Sequence, residues 1–254
     1  MAIELNNMRT VLGAMALSPP EGRGRLLILG DAQILFSGEQ LVELAREAGY
    51  KLHAQPSGTL GPVELGRVLG FAATDTLDVN GKASLTLNLQ QEMPSELTGR
   101  FSCLIDAGVL FWCFDPGVAL KNIFRFVAPG GVFIHITAVS GFYGRCFYNI
   151  HPLLFESFYL QNACEYVGSS FYPRPRATSL MQRLKRVFSR GRAVQELSYV
   201  SSPGNVYLDE ASASYLSFRG NLRRPESEVL PNNAVGTFAF RKMKDVQPQE
   251  PLLS

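Results

Sequence analysis

The run Arg25-Leu26-Leu27-Ile28-Leu29-Gly30 constrains this chain most. Four consecutive apolar side chains closed by a glycine leave no polar face along the run. A strand of that kind must be covered on both faces, as in a parallel sheet. The segments that follow fit that demand. Ser37 with Gln40 three positions on is a capping box, and the helix it opens buries Leu41, Leu44, Ala45 and Ala48 before Gly49. A second helix is expected from Pro62 to Leu69, ending at Gly70. Residues 72–79 and 83–89 read as strands, and 101–106 is an apolar run reaching a single acid, Asp106. Asp115-Pro116 opens a helix with proline at its first position, and Pro129-Gly130-Gly131 closes it before a strand over 132–137. Such alternation with short joints means an α/β domain with a mostly parallel sheet.

The remainder is organised around that domain. Residues 1–24 read as an N-terminal leader, 25–243 as one α/β domain, and 244–254 as a flexible tail. After Pro152 a helix is expected over 153–162, then strands over 166–172, 196–201, 205–208, 214–218 and 235–241. Residues 173–234 are additions within the C-terminal part. They include an acid-free stretch, 174–192, in which Arg183, Arg186 and Arg190 share a helical face opposite Leu180, Leu184 and Val187. That stretch is either a solvated helix face or a site for an anionic ligand, with peripheral membrane contact as one form of it.

Composition narrows the function classes. A net charge of +2 over 254 residues argues against a bulk nucleic-acid binder, and 46% hydrophobic residues argue against disorder. Residues 1–20 show no basic start followed by an apolar run, and no stretch approaches the ~18 uncharged apolar residues of a membrane span. The four cysteines form no CxxC pair and read as buried reduced thiols. A cytoplasmic protein is the expectation. No metal site is expected from three scattered histidines. No Gly-x-Ser-x-Gly, P-loop or dinucleotide fingerprint occurs, since Gly30 is followed by Asp31-Ala32-Gln33.

In an open parallel sheet, ligands bind outside the carboxyl ends of the strands. Gly30 lets a ligand approach the backbone there, and Asp78 at the next strand's end can accept both hydroxyls of a ribose. Together they suggest an adenosine-containing cofactor, although a plain turn and a helix cap account for each alone. His151 is read as a base at the acceptor mouth or as a polar residue opening a helix. His135, inside an apolar strand, reads as a core histidine bonded to backbone more readily than as a catalytic group. Tyr143 and Tyr148 either orient a ligand or pack in the core. Trp112, the only tryptophan, stacks on adenine or a sugar, or packs between helix and sheet.

Several of these residues resemble the class I S-adenosylmethionine-dependent methyltransferases, most closely a bacterial subgroup lacking the glycine-rich first motif and linked to surface-polysaccharide pathways. The likeness covers roughly residues 22–165. It rests on Leu26-Leu27-Ile28-Leu29-Gly30, Asp106-Ala107-Gly108-Val109-Leu110, Phe114-Asp115-Pro116 and Ala119-Leu120-Lys121-Asn122. It continues through Val127-Ala128-Pro129-Gly130-Gly131-Val132, Gly141-Phe142-Tyr143-Gly144 and Phe147-Tyr148. The resemblance implies a Rossmann-like methyltransferase sheet with an antiparallel C-terminal edge, binding S-adenosyl-L-methionine. It places Gly30 and Asp31 beside the cofactor, Asp78 on the ribose, Asn88 at the adenine, and Asp106 and Gly108 near the sulfonium. Trp112, Tyr143 and Arg145 fall to a small-molecule or glycan acceptor, with His151 and Tyr148 as the catalytic pair. The chain departs from the pattern at Phe111-Trp112, where a Glu-His pair is usual, at Gly144-Arg145-Cys146, and at Asn88, where an acid is usual. Two functions are therefore expected: methyl transfer to a sugar or related metabolite, or a degenerate relative acting as a binding module.

Overall fold

The computed structural model describes residues 2–17, 23–57, 59–173, 200–202, 205–207 and 234–251. The stretch 174–192 and the strand expected over 214–218 lie outside the described residues. Five parallel strands form most of a seven-stranded sheet: β2 (Arg25–Leu29), β4 (Ala73–Asp78), β5 (Leu85–Thr86), β6 (Phe101–Asp106) and β7 (Val127–Ala138). The sheet is completed by β8 (Cys164–Pro173) and β11 (Ala234–Lys242), in the order β5-β4-β2-β6-β7-β11-β8. Strand β11 is antiparallel to both β7 and β8, so the one reversed strand lies inside the edge strand β8. The mostly parallel sheet with an antiparallel C-terminal part is thus observed. Two short pairs stand apart from it, β1 (Ala2–Ile3) with β3 (Gln33–Ile34) and β9 (Val200–Ser202) with β10 (Asn205–Tyr207).

The apolar run that opened the sequence is buried on both faces as required. Leu26 and Ile28 pack beneath α1 (Leu5–Ala16), α2 (Gly38–Glu47) and α3 (Pro62–Leu69). Leu27 and Leu29 face α4 (Pro116–Phe126) and α5 (Pro152–Gln161). The capping box at Ser37 forms, with Gln40 N–H on the Ser37 hydroxyl at 3.2 Å and Gln40 Oε1 on Ser37 N–H at 2.9 Å. Helix α4 ends at Phe126, and β7 already begins at Val127, so Pro129-Gly130-Gly131 lies within the strand rather than closing the helix.

Two boundaries need correction. Residues 5–16, expected within a leader, are a core helix. Met8, Val11, Leu12 and Met15 recur at helical spacing and bury one face on the sheet. Asn7 and Thr10 hold that helix by buried bonds, Asn7 Nδ2 to Thr237 Oγ1 at 2.9 Å and Thr10 Oγ1 to Ser170 Oγ at 2.7 Å. Arg23 then joins two helix ends, donating to the carbonyls of Met15 and Leu69 at 2.6 Å each. The tail after residue 244 is docked, not free, through 251. Gln249 and Asn162 exchange hydrogen bonds of 2.7 and 2.9 Å, and Lys121 meets Glu250 at 2.6 Å. Asp245 reaches the fully buried Lys242 ammonium at 2.7 Å. Among the described residues, no helix is long and apolar enough to cross a membrane.

Candidate functional site

The strand order fixes where a ligand can enter. From β2 the chain steps to β4 and β5 on one side, then crosses to β6 on the other. The order reverses between β2 and β6, and the crevice outside their carboxyl ends is the binding position of an open α/β sheet. Gly30 ends β2 there with φ of 88°, a left-handed conformation that favours glycine. Its N–H donates to the Leu77 carbonyl at 2.7 Å, drawing the turn over the end of β4.

Beside that turn lies a cleft of about 160 Å³ lined by Asp78, Asn88, Leu89, Val109, Trp112 and Cys113, among others. The Asp78 carboxylate is half-buried and organises the rim. One oxygen accepts the Asp31 N–H at 2.8 Å, and the other accepts the Asn80 N–H at 3.1 Å. Each carboxylate oxygen keeps a further lone pair for a ligand hydroxyl. Asn88 folds its carbonyl oxygen back onto the Gln90 N–H at 3.0 Å. The far wall is pinned from α4: Asn122 Nδ2 donates to the carbonyls of Leu89 and Gln91 at 2.8 and 2.9 Å. Burial pushes the Cys113 thiol up to about 12, which makes it a wall atom rather than a nucleophile.

Asp106 acts behind this wall rather than on the cleft floor, correcting the expectation. It is fully buried, and one oxygen accepts the Gly108 and Val109 N–H groups at 3.0 and 2.7 Å. The other lies 3.0 Å from His135 Nδ1, while His135 Nε2 lies 2.7 Å from the Tyr159 hydroxyl. A carboxylate only accepts, so Nδ1 carries the proton, and in a neutral imidazole the tyrosine donates to Nε2. Burial holds the Tyr159 phenol well above its usual range, which keeps it a donor. His135 is a core histidine, but its partners are side chains from β6 and α5, not backbone. The turn so held carries Gly108, with φ of 94°, and the Phe111 ring lies against it where a Cβ would come within 2.7 Å.

A shelf of exposed aromatic rings adjoins the cleft through Trp112. Trp112 is 45% exposed, Phe114 78%, Phe147 61% and Tyr148 38%. Phe147 and Tyr148 N–H both donate to the Phe111 carbonyl, at 3.1 and 3.3 Å, and the Tyr148 hydroxyl donates to Phe114 O at 3.0 Å. These bonds bind the loop over 141–149 onto the turn over 110–114. Trp112 and Phe147 then meet edge to face at 5.9 Å.

The remaining expected residues separate. Asp31 is exposed at the rim, Tyr143 projects almost wholly into solvent, and Arg145 lies over the Phe142 ring at 4.6 Å. His151 is the N-cap of α5: its Nδ1 accepts the Leu153 N–H at 3.1 Å, which is the helix-opening alternative. That lone pair is committed, so the imidazole is not placed as a base. The sequence gives no sign of Tyr159, and it presents Asn122 and Phe147 only within motifs, without a role of their own. Only an acid and a histidine on neighbouring strands, Asp106 ending β6 and His135 inside β7 at the paired register position, could have signalled the buried chain. Among the described residues, no cluster of His, Cys, Asp and Glu is placed to hold a metal.

No family model and no curated protein matches this chain. Solved structures overlap it at low identity. The N-methyltransferase NodS from Bradyrhizobium japonicum WM9, in complex with S-adenosyl-L-homocysteine, is 13% identical with a TM-score of 0.42. That match covers 92% of this chain and 86% of NodS. StiE O-MT is 12% identical with a TM-score of 0.41, covering 92% of this chain and 73% of that one. The branched-chain polyamine synthase of Thermus thermophilus is 12% identical with a TM-score of 0.41, covering 97% of this chain and 59% of that one.

Proposed function

We propose that the protein is an S-adenosyl-L-methionine-dependent methyltransferase whose acceptor is a sugar or related polar metabolite. One observation carries the reading: Gly30 and Asp78 end adjacent central strands beside a cleft that has no phosphate cradle. The turn after Gly30 runs into β3, and α2 begins only at Gly38, with its Gln40 N–H already taken by the Ser37 hydroxyl. A pyrophosphate needs open helix N-terminal amides at that point. A nucleoside cofactor without phosphate does not, and the acids Asp31 and Asp78 suit one that is cationic.

The cleft is sized for the nucleoside end, since whole-ligand pockets run to ~300 Å³ or more. Asp78 would hold the ribose, Asn88 and Leu89 the base, and Gly30 and Asp31 the methionyl end along the open rim. The cofactor, when bound, supplies a methyl group activated on sulfur. The protein's own contribution is alignment and exclusion of water, which account for much of the rate in such a displacement. Phe111 and Trp112 dry the wall nearest the acceptor. Trp112, Phe147 and Tyr148 form a shelf against which the apolar face of a sugar ring packs, and the Tyr148 oxygen can accept from an acceptor hydroxyl.

Phe111 lying on Gly108 favours a second reading, a methyltransferase-like binding module with a narrowed crevice. Calorimetric titration with S-adenosylhomocysteine separates absence of a cofactor site from its presence. Sub-millimolar binding is expected, weakened more than about tenfold in Asp78→Ala. Transfer of labelled methyl from S-adenosylmethionine to a carbohydrate extract then decides for the enzyme, and binding without transfer decides for the module. Absence of any binding overturns the proposal.

A further inference from the structure

The edge of the cleft around Asn88 is polarised in one direction. The Asp115 N–H at the entrance of α4 donates to Gln90 Oε1 at 2.9 Å. That contact fixes the Gln90 amide, whose Nε2 then points at Asn88 Oδ1, 3.4 Å away. The Gln90 backbone N–H meets the same oxygen at 3.0 Å. With two donors on that atom, the oxygen and nitrogen of the Asn88 amide cannot be exchanged. Its remaining polar atom is Nδ2, which has only donors to offer. The neighbouring carbonyls each already accept one hydrogen bond: Asn88 O from the Gln91 N–H at 2.9 Å, and Leu89 O and Gln91 O from Asn122. Asp78 O likewise accepts the Leu87 N–H at 3.2 Å. Asn88, Leu89 and Gln90 line the cleft, so the Asn88 side chain, its oxygen doubly occupied, meets a ligand there as a donor.

We infer that the cleft recognises its heterocycle through hydrogen-bond donation from Asn88 and does not select for an exocyclic amino group. The inference rests on the nucleoside reading of the cleft. A purine meets such a donor with a ring nitrogen or with a 6-oxo oxygen, whereas a 6-amino group presents only hydrogens to it. Polar mismatch in a desolvated site is what separates analogues that differ by one group. An aspartate at this position would reverse the preference. It keeps the turn through one oxygen, as Asx turns allow, and presents its second oxygen as an acceptor.

Titration of the wild type and of Asn88→Asp with S-adenosylhomocysteine and with S-inosylhomocysteine tests this. In the wild type the inosyl form should bind within about threefold of the adenosyl form, or more tightly. In Asn88→Asp the adenosyl form should gain by about tenfold or more relative to the inosyl form. Wild-type preference for the adenosyl form beyond threefold, or a ratio unmoved by the substitution, overturns the inference while the nucleoside site stands. Binding of neither compound overturns the nucleoside reading and the inference with it. Thermal melting of Asn88→Asp within a few degrees of wild type confirms that the turn is kept.

Discussion

Asp106 and His135 face each other at 3.0 Å across β6 and β7, and neither side chain touches solvent. Through its other oxygen Asp106 holds the turn that carries the cleft wall, so a core contact and the site share one carboxylate. Asp106→Ala should lose about 3–5 kcal/mol of stability, because His135 Nδ1–H and the Gly108 and Val109 N–H groups all lose their acceptor. Equilibrium urea unfolding measures it, and a loss below ~1 kcal/mol would show the pair to be dispensable.

Tyr159→Phe tests the far end of the same chain more gently. The ring stays, stacked on Phe240 with centroids 4.6 Å apart, and only the hydroxyl on His135 Nε2 is lost. Leaving a buried acceptor unpaired costs about 1–3 kcal/mol. The double variant with His135→Phe should lose less than the sum of the two single losses, because both singles break the same Tyr159–His135 bond, even though Asp106 then also lacks its imidazole partner. An additive loss would contradict the pairing.

Glu156 on α5 is buried, and burial alone pushes its carboxyl up to about 7 from 4.5. The folded state therefore binds this proton more tightly than the unfolded chain does. Its contribution is fully present below pH ~4.5 and is lost as pH rises towards 7, a swing on the order of 3 kcal/mol. Glu156→Gln should flatten that slope and raise the melting temperature at pH 8. A slope unchanged by the substitution would assign the titration to other groups.

Arg23 ties the last turns of α1 and α3 together and stacks on Tyr50 at 5.7 Å. Arg23→Met keeps much of the volume and leaves two carbonyls without a donor. A loss of about 2–4 kcal/mol is expected. Hydrogen exchange should rise at the ends of both helices, and exchange confined to one of them would argue against a shared clamp.

The sheet was legible because each parallel strand announces itself. Leu26 to Leu29 allow no exposed face, and Asp115-Pro116 and Ser37 mark helix starts chemically. Helix α1 was legible too, since Met8, Val11, Leu12 and Met15 follow the helical period, but the turn-rich stretch after it invited reading the whole segment as a leader. The docked tail was not legible. It is held by Asn162 and Lys121, which lie far off in sequence and carry no pattern pointing to Gln249 or Glu250. Asp78 and Asn88, singled out in the sequence for their places at strand ends, both line the cleft. Asp106 was placed correctly in the chain, yet its partner Tyr159 sits on a helix whose apolar face gives no sign of a polar contact. His151 was ambiguous because a capping residue and a base share the same position before a helix, and only the 3.1 Å contact to Leu153 N–H separates them.

On the proposed function, the cleft between Asp78 and Trp112 holds the nucleoside of a methyl donor. Trp112 is the only tryptophan and lines that cleft, so its fluorescence reports occupancy directly. Titration with S-adenosylhomocysteine should change the emission saturably at sub-millimolar concentration, and Asp78→Ala should shift the midpoint upward by more than about tenfold. Emission that stays constant through millimolar ligand, in a protein that calorimetry also finds not to bind, would show that no nucleoside binds there.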